Sequence, residues 1–322
     1  MTSRADAPAP GNAEATPRRW IGPLCAVFGV LGFSFKAILI KLAYAASSVD
    51  AVTLLTLRML YSAPLFVALA WWAARTPQAG PVVRGDAWRI VWLGCIGYYV
   101  ASLLDFMGLH YITASLERLV LFLYPTIVVL LSALLLGKPV TRRAVAALLL
   151  SYGGIAFVVW QDVRFSGDAT ATLTGGALVF GSAVLYALYL VQAGTLIARL
   201  GSSRFIAWAM LSSTVFIVAQ FLLTRPLAAL AVPLSIHMIS ATMAVFSTVL
   251  PTWLIAESIR RMGANAASLV GSLGPVFTIG LGAMILGEPV HAVQLAGAAL
   301  VMGGVLLVTL RPRTKAAPVA GG

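Results

Sequence analysis

Residues 112–158 read ITASLERLVLFLYPTIVVLLSALLLGKPVTRRAVAALLLSYGGIAFV, and the pattern returns at a constant offset of 150. Ala114, Pro125, Gly137, Pro139, Gly153 and Gly154 reappear as Ala264, Pro275, Gly287, Pro289, Gly303 and Gly304. Between them Leu119, Leu131, Ala133, Leu136 and Leu150 match Leu269, Leu281, Ala283, Leu286 and Leu300. That register belongs to a duplicated unit and not to a shared apolar composition. The whole chain is built twice.

A mean hydropathy of +0.95, with 60% hydrophobic and only 10% charged residues, lies outside the range of soluble domains and inside the membrane class. A span needs about 20 apolar residues to cross a hydrocarbon core about 30 Å thick, so 322 residues hold ten spans with short connections and no separate soluble domain. The net charge of +12 does not read as nucleic-acid binding, because the basic residues lie between spans and not on one solvated, aromatic-bearing face. Cys25 and Cys95 both fall inside apolar runs without metal-ligand spacing and read as packing residues.

Residues 1–18 are Ala/Pro-rich and polar, and are expected to form a disordered cytoplasmic tail. Arg18 and Arg19 then introduce an apolar run that, with Ala43-Tyr44-Ala45 beyond it, has some features of a signal peptide. The run is too long for that, and Lys36 and Lys41 interrupt it, so an uncleaved first helix is expected. Apolar runs and breakers place spans near Trp20 to Tyr44, Val49 to Ala73, Trp88 to His110, Thr113 to Leu136 and Thr141 to Trp160. Five more follow near Thr172 to Leu200, Phe205 to Leu223, Ile236 to Arg261, Asn265 to Leu286 and Val290 to Leu310. The domains are therefore a first repeat over 19–161, a second over 172–310 and a second cytoplasmic tail over 311–322.

With a cytoplasmic amino terminus, sixteen of twenty-two basic residues lie on the cytoplasmic side, while only Arg118, Arg164 and Arg225 lie outside and Lys36, Lys41 and Arg58 lie within spans. The positive-inside rule gives one orientation, with both termini cytoplasmic. Five spans per unit force the second unit to enter from the opposite face. The fold class is an all-α membrane protein of ten transmembrane helices in two inverted five-helix repeats, an architecture that suits alternating access around a midplane site.

The sequence resembles the drug/metabolite transporter superfamily, in particular its ten-helix members with two EamA-type repeats, over about Trp20 to Leu310. The resemblance rests on Ala264-Asn265-Ala266-Ala267-Ser268-Leu269 leading to Pro275, on Leu286-Gly287-Glu288-Pro289-Val290 and on Gly303-Gly304, with Ala114-Ser115-Leu116, Pro125, Gly137 and Gly153-Gly154 in parallel. Lys41 and Arg58-Met59 stand where the family often has a lysine closing the first helix and an arginine in the second. Two departures stand out. Lys138 occupies the position of the acidic residue present as Glu288, and Glu117-Arg118 puts a charged pair where small or apolar residues are usual. The resemblance implies export of amino acids, metabolites or toxic compounds as a class, with no particular cargo.

Pro125 and Pro275 each remove a backbone donor and free the carbonyl four residues earlier, at Leu121 and Gly271. Paired breaks near the midplane of corresponding helices point to a substrate site, although a packing kink gives the same sequence. Asn265, Ser268, Ser272 and Pro275 share a small polar face that suits either a cavity or close packing. Tyr98, Ser102 and Asp105 form a polar stripe in the third span. At about 1.5 Å per residue, Lys36 and Arg58 sit roughly 12 to 14 Å below the outer end, with Asp105, Glu117 and Arg118 in the same outer half.

Charge facing lipid costs several kcal/mol, so these side chains should face protein or water. One reading is an outer vestibule where Lys36, Arg58 and Arg118 attract an anionic group and Asp105 is counter-ion or proton acceptor. Another is a buried ion-pair network of Lys36, Arg58 and Asp105 joining the first three helices, with Lys41 snorkelling to the interface. Ser182, Tyr186 and Tyr189 form a stripe that contacts cargo or packs, and Thr248 and Thr252 either complete a pocket or bond their own helix. Glu257 reads as the partner of Arg260 and Arg261, while His110, His237, Glu288 and His291 fall near the outer surface with no metal-ligand spacing.

An integral membrane enzyme acting on lipid-linked substrates lacks any recognisable constellation here, with no Gly-x-Ser-x-Gly, metal spacing or phosphate-cradling loop. A membrane sensor would carry a sizeable soluble domain. The expected protein is a secondary transporter of a bacterial inner membrane, exporting a small organic metabolite, without catalytic, cofactor or metal residues. It works as a monomer in the bilayer, and Asp105 is its candidate for proton coupling.

Overall fold

The computed structural model describes residues 20–75 and 83–309, so the two expected tails lie outside the described residues. Among the described residues ten helices are long and apolar enough to cross a membrane. They are α1 Ile21–Ala46, α2 Ala51–Ala74, α3 Gly85–Gly108, α4 Ala114–Leu136 and α5 Arg142–Arg164, then α6 Ala169–Leu200, α7 Ser202–Thr224, α8 Leu234–Met262, α9 Ala266–Leu286 and α10 Ala292–Thr309. Each lies close to the expected span. The largest difference is at the end of α5, which continues past Trp160, with the Arg164 guanidinium 4.1 Å over the Trp160 ring. The end holding the α1–α2 turn is termed the outer end, after the charge-based orientation.

Polar caps start several helices where the chain turns. Asp50 accepts from Val52 N and Thr53 N at the head of α2, and Thr113, Thr141 and Asp168 each accept one backbone N–H at the heads of α4, α5 and α6. Each satisfies a donor that the first helical turn leaves free. The 150-residue register then shows in the backbone itself. A π-helical stretch at Cys95–Val100 in α3 recurs at Val245–Val249 in α8. The α-helix of α4 breaks at Phe122-Leu123 and that of α9 at Ser272-Leu273, each just ahead of its proline. Gly137 and Gly287 follow these helices with φ of 62° and 66°, a left-handed turn that glycine adopts without strain.

The packing follows the same exchange of halves. Helix α1 lies against α8 as α6 lies against α3, α1 touches α9 as α6 touches α4, and the pairs α2–α7 and α5–α10 are their own counterparts. Lipid tails are as apolar as leucine, so close backbone approach and buried polar contacts do what water exclusion does elsewhere. The α5–α10 contact illustrates it. A Cβ on Gly154 would stand 2.9 Å from the Gly297 carbonyl oxygen, and one on Gly304 would stand 2.6 Å from the Ala147 carbonyl oxygen. Since 147 and 297 are again 150 apart, one crossing is made twice. The largest apolar core gathers Ile38, Leu54, Leu55, Met59, Phe66, Phe106 and Phe221 from α1, α2, α3 and α7, and leaves the inner faces of α1, α3, α4, α6 and α9 for polar residues.

Candidate functional site

Three layers of polar contacts run inward from the outer end. In the first, Asp50 receives Arg225 at 3.2 Å, joining the head of α2 to the end of α7. Partial burial pushes the Asp50 carboxyl up, but hydrogen bonds from Thr53 and Arg225 outweigh this and hold it below the ordinary carboxylate range. Lys41 does not snorkel outward as expected. Its Nζ donates to the carbonyls of Leu109 and Ile112 at 3.2 and 3.1 Å, capping the end of α3 with positive charge. Tyr44 donates to the Phe106 carbonyl at 2.8 Å.

Glu288, which the sequence places merely near the outer surface, reaches across the halves to the head of α4. Its Oε1 accepts from Ala114 N at 2.7 Å, and its Oε2 accepts from Ser115 N at 3.2 Å and Ser115 Oγ at 2.7 Å. A carboxylate on free amides at a helix N-terminus gains from both hydrogen bonding and the helix dipole. This contact therefore ties the outer ends of α4 and α9 together.

The second layer is the charged cluster. Lys36 Nζ pairs with Asp105 Oδ2 at 2.6 Å and stands 3.6 Å from Glu117 Oε1, linking α1, α3 and α4. Asp105 is 2% exposed and Glu117 0%. The expected network of Lys36, Arg58 and Asp105 is only partly formed. Arg58 is buried, yet its guanidinium carbon lies 5.4 Å over the Phe106 ring and its Nε has no hydrogen-bond partner. Lys36 engages Oδ2 of Asp105 and leaves its Oδ1 without a hydrogen-bond partner, while Arg58 lies over the face of a ring.

The third layer is at the breaks. Arg118 lies half-buried with its guanidinium flat against Gly274, where a Cβ would stand 2.9 Å from an Arg118 Nη. A side chain at 274 would push the guanidinium aside. The Gly274 carbonyl accepts from Ser34 Oγ and from Thr278 Oγ1, both at 3.1 Å, so α1 is bonded to the break in α9. Arg118 Nε is without a hydrogen-bond partner. Beyond it runs a chain of rings: Tyr124 edge-on to Tyr186 at 5.2 Å, Tyr186 stacked on Tyr189 at 5.6 Å, and the hydroxyls of Tyr189 and Tyr98 bonded at 2.9 Å. Tyr98 belongs to the π-helical stretch of α3, and Gly97 beside it leaves room for the Tyr189 ring. Such π turns often mark functional positions.

The structure thus brings Lys36 and Asp105 together, sets Tyr98, Tyr186 and Tyr189 in one chain, and lays Arg118 on the break that Pro275 follows. Ser102 is half-buried one turn beyond Tyr98. Thr248 and Ser272 spend their hydroxyls on the Met243 and Leu269 carbonyls of their own helices, and Thr252 does the same with Thr248. The side chain of Asn265 lies outside the described residues. Sequence reasoning passed over Ser34, Tyr124 and Gly274, and placed Glu288 near the outer surface without a partner. Tyr124 was readable from its place beside Pro125, whereas Ser34 and Glu288 act across 240 and 173 residues and leave no local signal.

At the end opposite the outer one Asp86 pairs with Arg199, tying α3 to α6. Glu257 receives Arg260 and Arg261, each at 2.6 Å, within α8 as expected. An apolar groove of about 470 Å³ lies between α1 and α8, lined by Phe28, Leu31, Phe35, Phe246 and Leu254 among others. None of the charged cluster lines it, and its apolar walls suit lipid.

The sequence profile of the EamA-like transporter family matches residues 20–160 and again 173–310. "Uncharacterized transporter YcbK" of Bacillus subtilis (strain 168) is 32% identical over 299 residues, covering 89% of this chain and 91% of that protein. "Protein PecM" of Dickeya dadantii (strain 3937) is 26% identical over 224 residues, covering 70% and 74% respectively. A solved crystal structure with 20% identity superposes with a TM-score of 0.60 over 90% of this chain and 96% of its own, and so shares the fold. Two matches of one profile, a relative aligned over about nine-tenths of both chains and, among the described residues, ten helices able to cross a membrane make one statement: the chain belongs to the EamA-like transporter family and is a multi-pass membrane transporter.

Proposed function

We propose that this transporter exports a small organic metabolite bearing a carboxylate from a bacterial cytoplasm, by alternating access between its two repeats in the inner membrane, both termini being cytoplasmic. The observation that carries the cargo class is Arg118: half-buried, with Nε unpartnered, and laid on the α9 break at Gly274. A guanidinium at that depth is costly unless an anion meets it, and its planar fork suits a carboxylate. The second halves of α4 and α9 begin at Tyr124 and Gly274, so two helix N-termini add partial positive charge at the same level. The chain of Tyr124, Tyr186, Tyr189 and Tyr98 gives the rest of the cargo aromatic faces and hydroxyls.

The remaining sequence candidates take roles in this reading. Lys36 and Asp105 hold α1 to α3 and set the positive field, Arg58 adds to that field, and Pro125 and Pro275 create the breaks. Transport proceeds in a single ten-helix chain as the working unit. The test is uptake into inside-out vesicles from a mixed pool of amino acids, small carboxylates and cationic dyes, comparing wild type with Arg118→Ala and Lys36→Ala. Accumulation of one carboxylate, lost in Arg118→Ala, supports the reading. Accumulation of a cationic dye, undiminished in Arg118→Ala, overturns it.

A further inference from the structure

The second member of the charged pair that departs from the family pattern has a role in the site above; Glu117, the first, does not. It is 0% exposed, and no donor reaches either carboxylate oxygen, while the carboxyl of Asp105 stands within hydrogen-bonding reach of it. Its nearest cation, Lys36, is at 3.6 Å and is already held at 2.6 Å by Asp105. An ionised carboxylate in this setting would be desolvated, without hydrogen bonds, and beside a second carboxylate competing for one ammonium group. Each of these penalises the charged form.

The charged groups facing Glu117 are few. They are Lys36 from α1, Asp105 from α3 and its own neighbour Arg118, with Arg58 of α2 behind Asp105. Helix α6 carries one charged residue, Arg199, which is engaged by Asp86 at the far end. Helix α9 carries none, and Glu288 beyond it is spent on the head of α4. Helix α5 brings Asp162 and Arg164 towards the outer end, where the Arg164 guanidinium lies over Trp160, and Arg142 and Arg143 to the other.

We infer that Glu117 holds a proton in this arrangement, and that the proton travels with the anion bound at Arg118, making the protein a proton–carboxylate cotransporter. Charge arithmetic supports the coupling. With Glu117 ionised and the site empty, three cations (Lys36, Arg58, Arg118) face two anions (Asp105, Glu117), leaving one positive charge. With Glu117 protonated and a monoanion bound, the same three cations face Asp105 and the cargo, again leaving one. Loading a proton and an anion together therefore costs the membrane interior no change in charge, whereas loading the anion alone would.

On release the Glu117 O–H bond breaks, the proton passes to water, and the carboxylate left behind takes the share of Lys36 and Arg118 that the departing anion gives up. The cycle moves no net charge, so export follows the concentration gradient of the carboxylate with its proton and not the membrane potential. This rests on the carboxylate reading of Arg118, and the two are separable by experiment.

Infrared difference spectroscopy of the full chain in lipid nanodiscs, wild type against Glu117→Gln, reads the proton without any cargo. The expected result, below the pH at which Glu117 ionises in the empty site, is loss of one carboxylic-acid C=O band in the variant; no such band in wild type at any pH overturns the inference. Glu117→Asp serves if the amide does not fold, and must keep an acid band at a shifted frequency. Calorimetric titration with 4-hydroxybenzoate over a pH series then reads the coupling. In wild type the Kd is expected to rise by about tenfold per pH unit once Glu117 ionises, as one-proton linkage requires. In Glu117→Gln it is expected to stay flat at the low-pH value. An equal pH slope in both overturns cotransport while sparing the carboxylate site. No binding at any pH overturns the carboxylate site and cotransport with it, and leaves the infrared band to decide the proton alone.

Discussion

The first halves of α4 and α9 stand at equivalent positions in the duplicated register, yet one is covered and the other is exposed. Leu119 and Leu123 in α4 are 0% and 1% exposed, whereas their counterparts Leu269 and Leu273 in α9 are 43% and 37% exposed. Identical residues at equivalent positions meet the same lipid, so the difference comes from the protein neighbours. At the outer end Glu288 binds the head of α4; the residue in its place at the other end is Lys138, exposed and of the wrong sign for a helix N-terminus. The charges differ in the same way, since Glu117 and Arg118 in α4 correspond to Ala267 and Ser268 in α9. A symmetric pair of repeats thus takes an asymmetric arrangement, with the first half of α4 more deeply covered at the end where Glu288 binds.

The largest way to break this comparison is to unbalance the charges that only the first repeat carries. Lys36→Ala leaves Asp105 and Glu117 buried without their shared cation, and is expected to destabilise by about 3–5 kcal/mol, read as a large drop in the thermal midpoint in detergent. Lys36→Met with Asp105→Asn removes both members of the close pair and should recover most of that loss. If the double variant is no more stable than the single one, the pair is not what holds α1 to α3.

Removing the Glu288 contact comes next. Glu288→Gln keeps the shape but gives up charge-assisted bonds worth about 1.5–3 kcal/mol. Single cysteines at Leu119 and Leu269, in a background lacking Cys25 and Cys95, should then change places in part: labelling at 119 rises from near zero, while 269 stays reactive. Lys138→Glu is the reciprocal change and is expected to slow labelling at 269. Unchanged labelling at both sites would show that this contact does not set which half-helix is covered.

The α5–α10 crossing sharpens the comparison from its symmetric side. Gly154→Leu and Gly304→Leu each force a side chain against a backbone carbonyl of the partner helix, and each should cost about 1–3 kcal/mol by overpacking. The two costs should be alike, because the contact is made twice; a cost confined to one would mean that the halves differ here too. The smallest effect belongs to the exposed tie between Asp50 and Arg225. Its carboxyl is held below the ordinary value, so its contribution is complete above the unfolded pKa and is lost as pH falls through the folded one. Asp50→Asn should lower stability at neutral pH by at most about 1 kcal/mol, and the difference from wild type should vanish in acid.

Much of this molecule was legible in the chain. Ten spans follow from apolar windows of sufficient length, and the breaks of α4 and α9 follow from Pro125 and Pro275, because proline acts on its own helix and needs no partner. The site was legible only in part. Lys36, Asp105 and Arg118 stand out because charge inside an apolar run is conspicuous, but Ser34 and Gly274 look like any small residue of a membrane helix.

What the sequence by itself determined is the duplication, the number of helices and the depth at which charge is buried. All three are local or periodic properties, set by hydropathy, proline and a 150-residue register. What only the tertiary structure decided is which charges meet and which of two equivalent half-helices is buried. Lys36 reaches Asp105 and leaves Arg58 to the Phe106 ring, and Glu288 crosses 174 residues to the head of α4. A repeated pattern reads the same from either face of the membrane, so the choice of the buried half-helix lies in contacts between the halves, and those exist only once the helices are packed.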